Sequence, residues 1–267
     1  MRIVILMAGV ADPRRPLERP ASGEWLDTLS RPATPSKLSP FDEAALEVAL
    51  KLRDQHPEVQ LTGIVTHGAS DLALMRHVAS FRLDVVLGLL PPAEKHADPE
   101  WLAAHAPEAM GGLDTADLIL IGREHGDLDD GMTPGFLAAR WQLPFIGLAH
   151  TVQRVEANTW GIVRAGAQVS ESYELHGRTV VSVTNAKENR LRHPLLKNVM
   201  MAKKQEFEVL TPADAAAMRT HNQEAFLPEA AKRGTQPCRM LDGAVEEQAE
   251  QLLALMSSLT QGHTHAR

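Results

Sequence analysis

The clearest chemical signal in the chain lies in Gly122-Arg123-Glu124-His125-Gly126-Asp127-Leu128-Asp129-Asp130-Gly131, where Asp127, Asp129, Asp130 and Gly131 crowd one short loop. The apolar run 117–122 precedes it, and Met132-Thr133-Pro134 follows. Thr133 is placed to cap a helix and Pro134 to take its first position. Phe136, Leu137 and Trp141 then recur at helical spacing, and Gln142-Leu143-Pro144 closes the helix. A helix N-terminus after a buried strand offers unpaired N–H groups and partial positive charge, so the expected chemistry is anion binding, a nucleotide phosphate above all. The same residues also fit an ordinary strand-to-helix turn with solvated aspartates, because neither a Walker nor a GxGxxG spacing is present. Adjacent loop acids more often cap a helix or face solvent than move protons, and no catalytic residue is assigned.

Composition narrows the alternatives. A net charge of −7 argues against nucleic-acid binding through phosphate neutralisation. The single cysteine, Cys238, rules out an intrachain disulfide and a multi-thiolate metal site. Twelve histidines are scattered without an HExxH or other paired metal face, so no metal site is expected. No apolar run approaches the roughly 20 residues of a membrane span. The opening Met1-Arg2-Ile3-Val4-Ile5-Leu6-Met7-Ala8 reads as a first core strand rather than a signal peptide, since Asp12 and an Arg-rich stretch follow. A soluble, cytoplasmic protein without direct membrane insertion is expected.

The elements that must position the acidic loop alternate β-α-β-α-β-α-β-α. Residues 2–7 form a strand, and a Pro-rich polar segment runs through Ser39. Ser39-Pro40-Phe41-Asp42-Glu43 opens a helix to Gln55, with Ser39 as cap, Pro40 first and acids in the first turn; Pro57 stops it. A strand over 59–66, a helix over 71–81 with Leu72, Met75, Val78 and Ala79 inward, a strand over 84–89 and a helix around Trp101–His105 follow. This order calls for a mostly parallel sheet with helices on both faces. Beyond Thr151 the segments 151–156, 159–163, 170–175 and 179–184 read as antiparallel strands extending the sheet edge. A Leu-, Met- and Lys-rich helix over 191–204, a short strand over 206–210, a polar arm over 211–236 and an amphipathic helix over 241–259 complete the chain, with Val245, Leu252, Leu253 and Met256 apolar. The organisation is an α/β domain over 1–210 and a C-terminal arm and helix over 211–267 that pack on a partner chain.

Four stretches, in order and in register over roughly residues 1–212, resemble the β subunit of electron transfer flavoprotein. The first strand with Val10-Ala11-Asp12 resembles its opening strand and loop, and Ser39-Pro40-Phe41-Asp42-Glu43 resembles its Asn-Pro-Phe-Asp-Glu helix start. The 122–131 loop resembles its Gly-Arg-Gln-Ala-Ile-Asp-Asp-Asp nucleotide loop. Arg192-His193-Pro194-Leu195-Leu196-Lys197-Asn198-Val199-Met200-Met201-Ala202-Lys203-Lys204 resembles its partner-recognition segment, whose core is Leu-Pro-Asn-Ile-Met-Lys-Ala-Lys-Lys. The resemblance implies an adenine-nucleotide hydrolase-like α/β fold and an electron carrier rather than an enzyme. It implies an α-subunit partner holding most of one FAD at the interface, AMP in this subunit, flavin dehydrogenases as donors and a quinone-linked oxidoreductase of the respiratory chain as acceptor. It further implies nucleotide contacts from Ala8, Asp12, Ser39, Thr66, His67, Gly122, Asp127, Asp129, Gly131, Met132 and Thr133, and partner contacts from Leu195, Leu196, Asn198 and Met200. Spacing alone would make Leu196 a residue of the chain's own core; the resemblance makes it an exposed anchor. The AMP motif is weakened here. Ala8 replaces a Lys, Ser39 an Asn, Met132 a Gln and Pro134 a Gly, which removes an amide donor and a backbone N–H. The alternative is a stand-alone adenine-nucleotide binder of the universal-stress or hydrolase-like type. Against it, no Gly-rich run with Ser or Thr for a triphosphate follows Asp130.

Overall fold

Strand β1 (Arg2–Met7) shows why the chain folds in layers: Ile3, Ile5 and Met7 enter one core while Val4 and Leu6 enter another, all fully buried. Period-two alternation on a strand apolar on both faces demands helices on both sides of the sheet. The computed structural model describes residues 1–12, 36–92, 95, 98–127, 129–166, 169–212 and 240–262. The Pro-rich segment before Ser36, Leu128 and nearly all of the expected polar arm lie outside the described residues.

After β1 a bridge pairs β2 (Val10–Ala11) with β3 (Ser36–Lys37), and α1 (Pro40–Gln55) starts on the expected Ser39 cap, which accepts from the Asp42 N–H and is completed by Asp42 into a capping box. Next come β4 (Gln60–Val65), α2 (Leu72–Ala79), β5 (Val85–Leu89), α3 (Pro99–Ala109), β6 (Leu118–Gly122) and α4 (Thr133–Trp141). Asp71 and Asp98 cap α2 and α3 with their carboxylates. Leu72, expected inward, is 47% exposed; as the first residue of α2 it lies beyond the stripe of Met75, Val78 and Ala79. The remaining strands are β7 (Phe145–Glu156), β8 (Thr159–Ala165), β9 (Ser170–His176), β10 (Thr179–Val183) and β11 (Glu208–Leu210), with α5 (Leu196–Ala202) before β11.

The sheet runs β11-β5-β4-β1-β6-β10-β7-β8-β9. Pairings from β11 to β7 are parallel, and β8 and β9 add antiparallel strands at one edge. The expected α/β architecture is therefore present, with one correction. The segment 179–184 is not an edge strand: β10 lies between β6 and β7, parallel to both and buried along its length. Thr179-Val180-Val181-Ser182-Val183 lacks strict alternation and suits a strand covered on both faces. The helix expected over 191–204 is also shorter. Residues 191–195 are irregular and α5 begins at Leu196, consistent with Pro194 disfavouring helix in the residue before it.

The chain divides into two compact units, Met1–Asp214 and Ala215–Arg267. The second contains α6 (Val245–Gly262), with Glu246 and Glu247 in its first turn and Val245, Leu253 and Met256 exposed. Among the described residues no helix is long and apolar enough to cross a membrane.

Candidate functional site

The sheet changes winding direction at β1. From β1 the chain crosses to β4 and β5 on one side, then returns past β1 to β6 on the other. In open α/β sheets such a switch point opens a crevice at the carboxyl ends of the strands. Here it is formed by the segments after β1, β4 and β6, which carry most of the nucleotide-contact candidates.

Asp42, fully buried, ties the segment after β1 to the start of α1. Its Oδ1 accepts from the Ala8 N–H (3.4 Å), and its Oδ2 accepts from the N–H groups of Gly9 (3.4 Å) and Ser39 (3.3 Å). The Ser39 Oγ accepts from the Asp42 N–H at 3.0 Å, so this hydroxyl caps α1. Burial pushes the Asp42 carboxyl up to about 6, outweighing the hydrogen bonds from Ser39, Gly9 and Ala8 that favour its charged form. Sequence reasoning saw Asp42 only as a first-turn acid; the Ser-x-x-acid box was the available signal for a larger role.

The acidic loop is organised by Asp129. Its Oδ2 accepts from the His125 N–H (2.8 Å), and its Oδ1 accepts from Gly131 (3.1 Å), Met132 (3.0 Å) and Thr133 (3.2 Å). Thr133 is therefore not the helix cap. It is the first helical residue of α4, Met132 stands at the N-cap without a side-chain cap bond, and Asp129 reaches forward to do the capping. Gly131 permits this turn at φ +97°. Asp127 accepts from the Ala11 N–H at 3.0 Å, joining the loop to β2. The N–H groups that would greet a phosphate are thus already taken by a carboxylate, and Pro134 supplies none. As arranged, the start of α4 does not fit a phosphate.

Below the loop, His125 is 4% exposed. Its Nε2 lies 3.1 Å from the Thr66 Oγ1, and its ring meets that of His67 edge-on at 5.7 Å. Its Nδ1 is buried without a hydrogen-bond partner. Burial pushes the imidazole down to about 4, so it is neutral near pH 7. A Cβ on Gly126 (φ +94°) would stand 2.6 Å from the His67 Nδ1, so this position needs glycine twice over. Gly122 has a packing role. A Cβ there would stand 2.8 Å from the Phe41 carbonyl carbon, where α1 lies close on β6.

Near the switch point Asp42 thus links Ala8 with Ser39, His125 meets Thr66 and His67, Asp129 joins His125 to Gly131 and Thr133, and Asp127 reaches Ala11, while Asp12 follows β2 and Met132 is largely exposed. Sequence reasoning missed Asp42 and His125. No local signal marks His125, whose burial depends on β4. Among the described residues no group of three or more His, Cys, Asp or Glu is placed to hold a metal.

A second set lies on α5. Leu195 and Leu196 are 71% and 76% exposed, and Met200 and Met201 are also open; only Ala202 of this helix is buried. Leu196 is therefore not a residue of the chain's own core. Asn198, half-buried, lines a cavity of about 340 Å³ with Ala79, Arg82, Leu83, Met201 and Lys204.

Comparison with known proteins gives the family. The model of the electron transfer flavoprotein domain matches residues 28–215. The chain is 28% identical over 191 residues to the electron transfer flavoprotein subunit beta of Mycobacterium leprae, covering 70% of this chain and 71% of that one. It is 27% identical over 194 residues to the same subunit of Mycobacterium tuberculosis, with equal coverage. The caffeyl-CoA reductase-Etf complex subunit CarD of Acetobacterium woodii is 27% identical over 147 residues, covering 55% of this chain and 54% of that one. The chain belongs to the electron transfer flavoprotein family and is a protein of its beta type.

Proposed function

We propose that this chain is the β subunit of a heterodimeric electron transfer flavoprotein. An α subunit holds most of one FAD at the interface, flavin dehydrogenases deliver electrons to it, and the pair passes them toward a quinone-linked oxidoreductase. The residues 211–267 pack on the α subunit. The chain itself carries electrons as part of the pair and performs no bond-making chemistry. The observation that carries this reading is the exposure of Leu195, Leu196 and Met200 in the segment that resembles the family's recognition segment. Large apolar side chains clustered in the open mark an interaction site. Burying Leu196 in a partner would contribute about 1.5–3 kcal/mol, which suits a transient contact.

The crevice is assigned the family's AMP site, with Asp129 opposing it. A phosphate at α4 must displace that carboxylate or sit beside it, so AMP retention is expected to be weak. Co-expression with the α subunit, followed by a visible spectrum and analysis of acid-released nucleotides, tests the proposal. A one-to-one yellow complex releasing one FAD and substoichiometric AMP is expected. A colourless single chain that binds ATP would replace it with the stand-alone nucleotide binder.

A further inference from the structure

Segment 187–195, which leads into α5, lies along the outer stripe of α1 formed by Glu47, Lys51 and Asp54, at helical spacings of four and three. Arg192 is the centre of this contact. Its backbone N–H donates to Glu47 Oε2 (3.1 Å), its Nε to both Glu47 oxygens (3.2 and 3.0 Å), its Nη2 to Oε1 (2.8 Å) and its Nη1 to Asp54 (2.5 Å). The Glu47 side chain is only 6% exposed, although it belongs to a helix whose neighbouring Asp54 is open. A nearly buried carboxylate needs a charged partner with several donors, and Arg192 supplies backbone and fork together. One turn away, the Lys51 Nζ donates to the Glu188 carbonyl and to Asn189 Oδ1 (3.2 Å), and the buried Asn189 donates to the His150 carbonyl (2.8 Å). Segment 191–195 has no secondary structure of its own; Leu191 packs against the core, and beyond it the Arg192 bonds hold the course of the segment.

We propose that Glu47 and Arg192 are positioning residues for partner docking: their clamp holds the start of α5 so that Leu195, Leu196 and Met200 stand outward in one preset arrangement. The proposal rests on α5 being the docking element. The clamp lowers the ordering cost of association, because the loop is arranged before the partner arrives. Arg192 does not itself touch the partner in this scheme. It acts through the backbone three to four residues further on.

Hydrogen–deuterium exchange on the α/β pair tests the clamp. Arg192→Met should speed exchange of the Val199 and Lys203 amides, which bond to Leu195 and Val199 carbonyls, by about tenfold while β1 and β6 keep their protection. Arg192→Lys, which keeps charge but loses the fork, should fall between. Glu47→Gln repeats the test with side-chain volume kept, should the methionine variant fold poorly. Electron delivery is then measured with a substrate-reduced acyl-CoA dehydrogenase as probe, beside a small dye that needs no docking. Arg192→Met should raise the KM for the pair and leave kcat and the dye rate unchanged. Unchanged exchange at α5, or an equal rise in β1 and β6, would overturn the clamp. So would a loosened α5 with an unaltered KM when Leu196→Ala does raise it. If the probe fails to reduce the wild-type pair, or Leu196→Ala changes nothing, the docking reading fails, and a localised exchange effect leaves the clamp standing as a fold device alone.

Discussion

At the crevice Asp42, Asp127 and Asp129 turn inward onto the chain's own N–H groups, whereas α5 turns leucines and methionines outward with only Ala202 buried. The first region has met most of its needs within the chain, the His125 Nδ1 excepted. Its acids replace water for the N–H groups of Ala8, Gly9, Ala11, Ser39, His125 and residues 131–133, so it joins the segments after β1 and β6 to the start of α1. The second region leaves apolar surface open from which a free chain gains nothing, as the proposed docking role of α5 requires. Changes in the crevice should therefore move stability first, and changes on α5 should move association alone.

The largest effect that would sharpen this contrast is in the pH dependence of unfolding. Asp42 has its folded value raised to about 6, so between pH 4 and 6 the folded chain binds the extra proton and stability falls as pH rises. His125 has its folded value lowered to about 4, so the unfolded chain binds the extra proton up to pH 6.5 and stability rises with pH. Each change amounts to about 3 kcal/mol and the two oppose one another. Urea unfolding should show that His125→Ala makes stability fall as pH rises through this window, and that Asp42→Asn makes it rise. Parallel profiles in both variants would mean that neither group is held as described.

Next in size is Gly122→Ala, whose methyl must displace the Phe41 backbone; a loss of about 1–3 kcal/mol is expected from thermal or urea unfolding. A loss near zero would mean that α1 can shift away from β6. Asp129→Asn should cost about 1 kcal/mol as a weakened cap and, with the negative charge gone, raise AMP affinity in calorimetry. If AMP binds the parent chain stoichiometrically and tightly, the carboxylate does not compete for the helix start. The smallest stability change belongs to Leu196→Ala, expected within about 0.5 kcal/mol of the parent because the side chain is open.

The parts of this picture legible in the sequence were those set by local code. Ser39-Pro40-Phe41-Asp42 announces the start of α1 because capping acts over three residues, and the β1 and β6 apolar runs announce a doubly covered sheet. What was missed depends on distant chain. β10 lies between β6 and β7 although hairpin strands precede it; its apolar run suits a doubly covered strand, but no local pattern encodes which strands flank it. The α4 cap comes from Asp129 rather than Thr133 because a glycine with positive φ turns the loop back, which propensity alone does not reveal. Arg192 meets Glu47 across 145 residues. The outward face of α5 became readable only through resemblance, since Leu, Val and Met at helical spacing are equally the mark of a core helix.

The measurement that bears most directly on the division between the two regions is electron delivery from a reduced flavin dehydrogenase to the α/β pair carrying Leu196→Ala, with unfolding followed in the same preparation. The result expected is unchanged stability and flavin content with a delivery rate at low concentration reduced by about 10–150-fold, the equivalent of losing 1.5–3 kcal/mol of contact. Delivery at the parent rate from a variant of unchanged stability would contradict the assignment of α5 as the docking element.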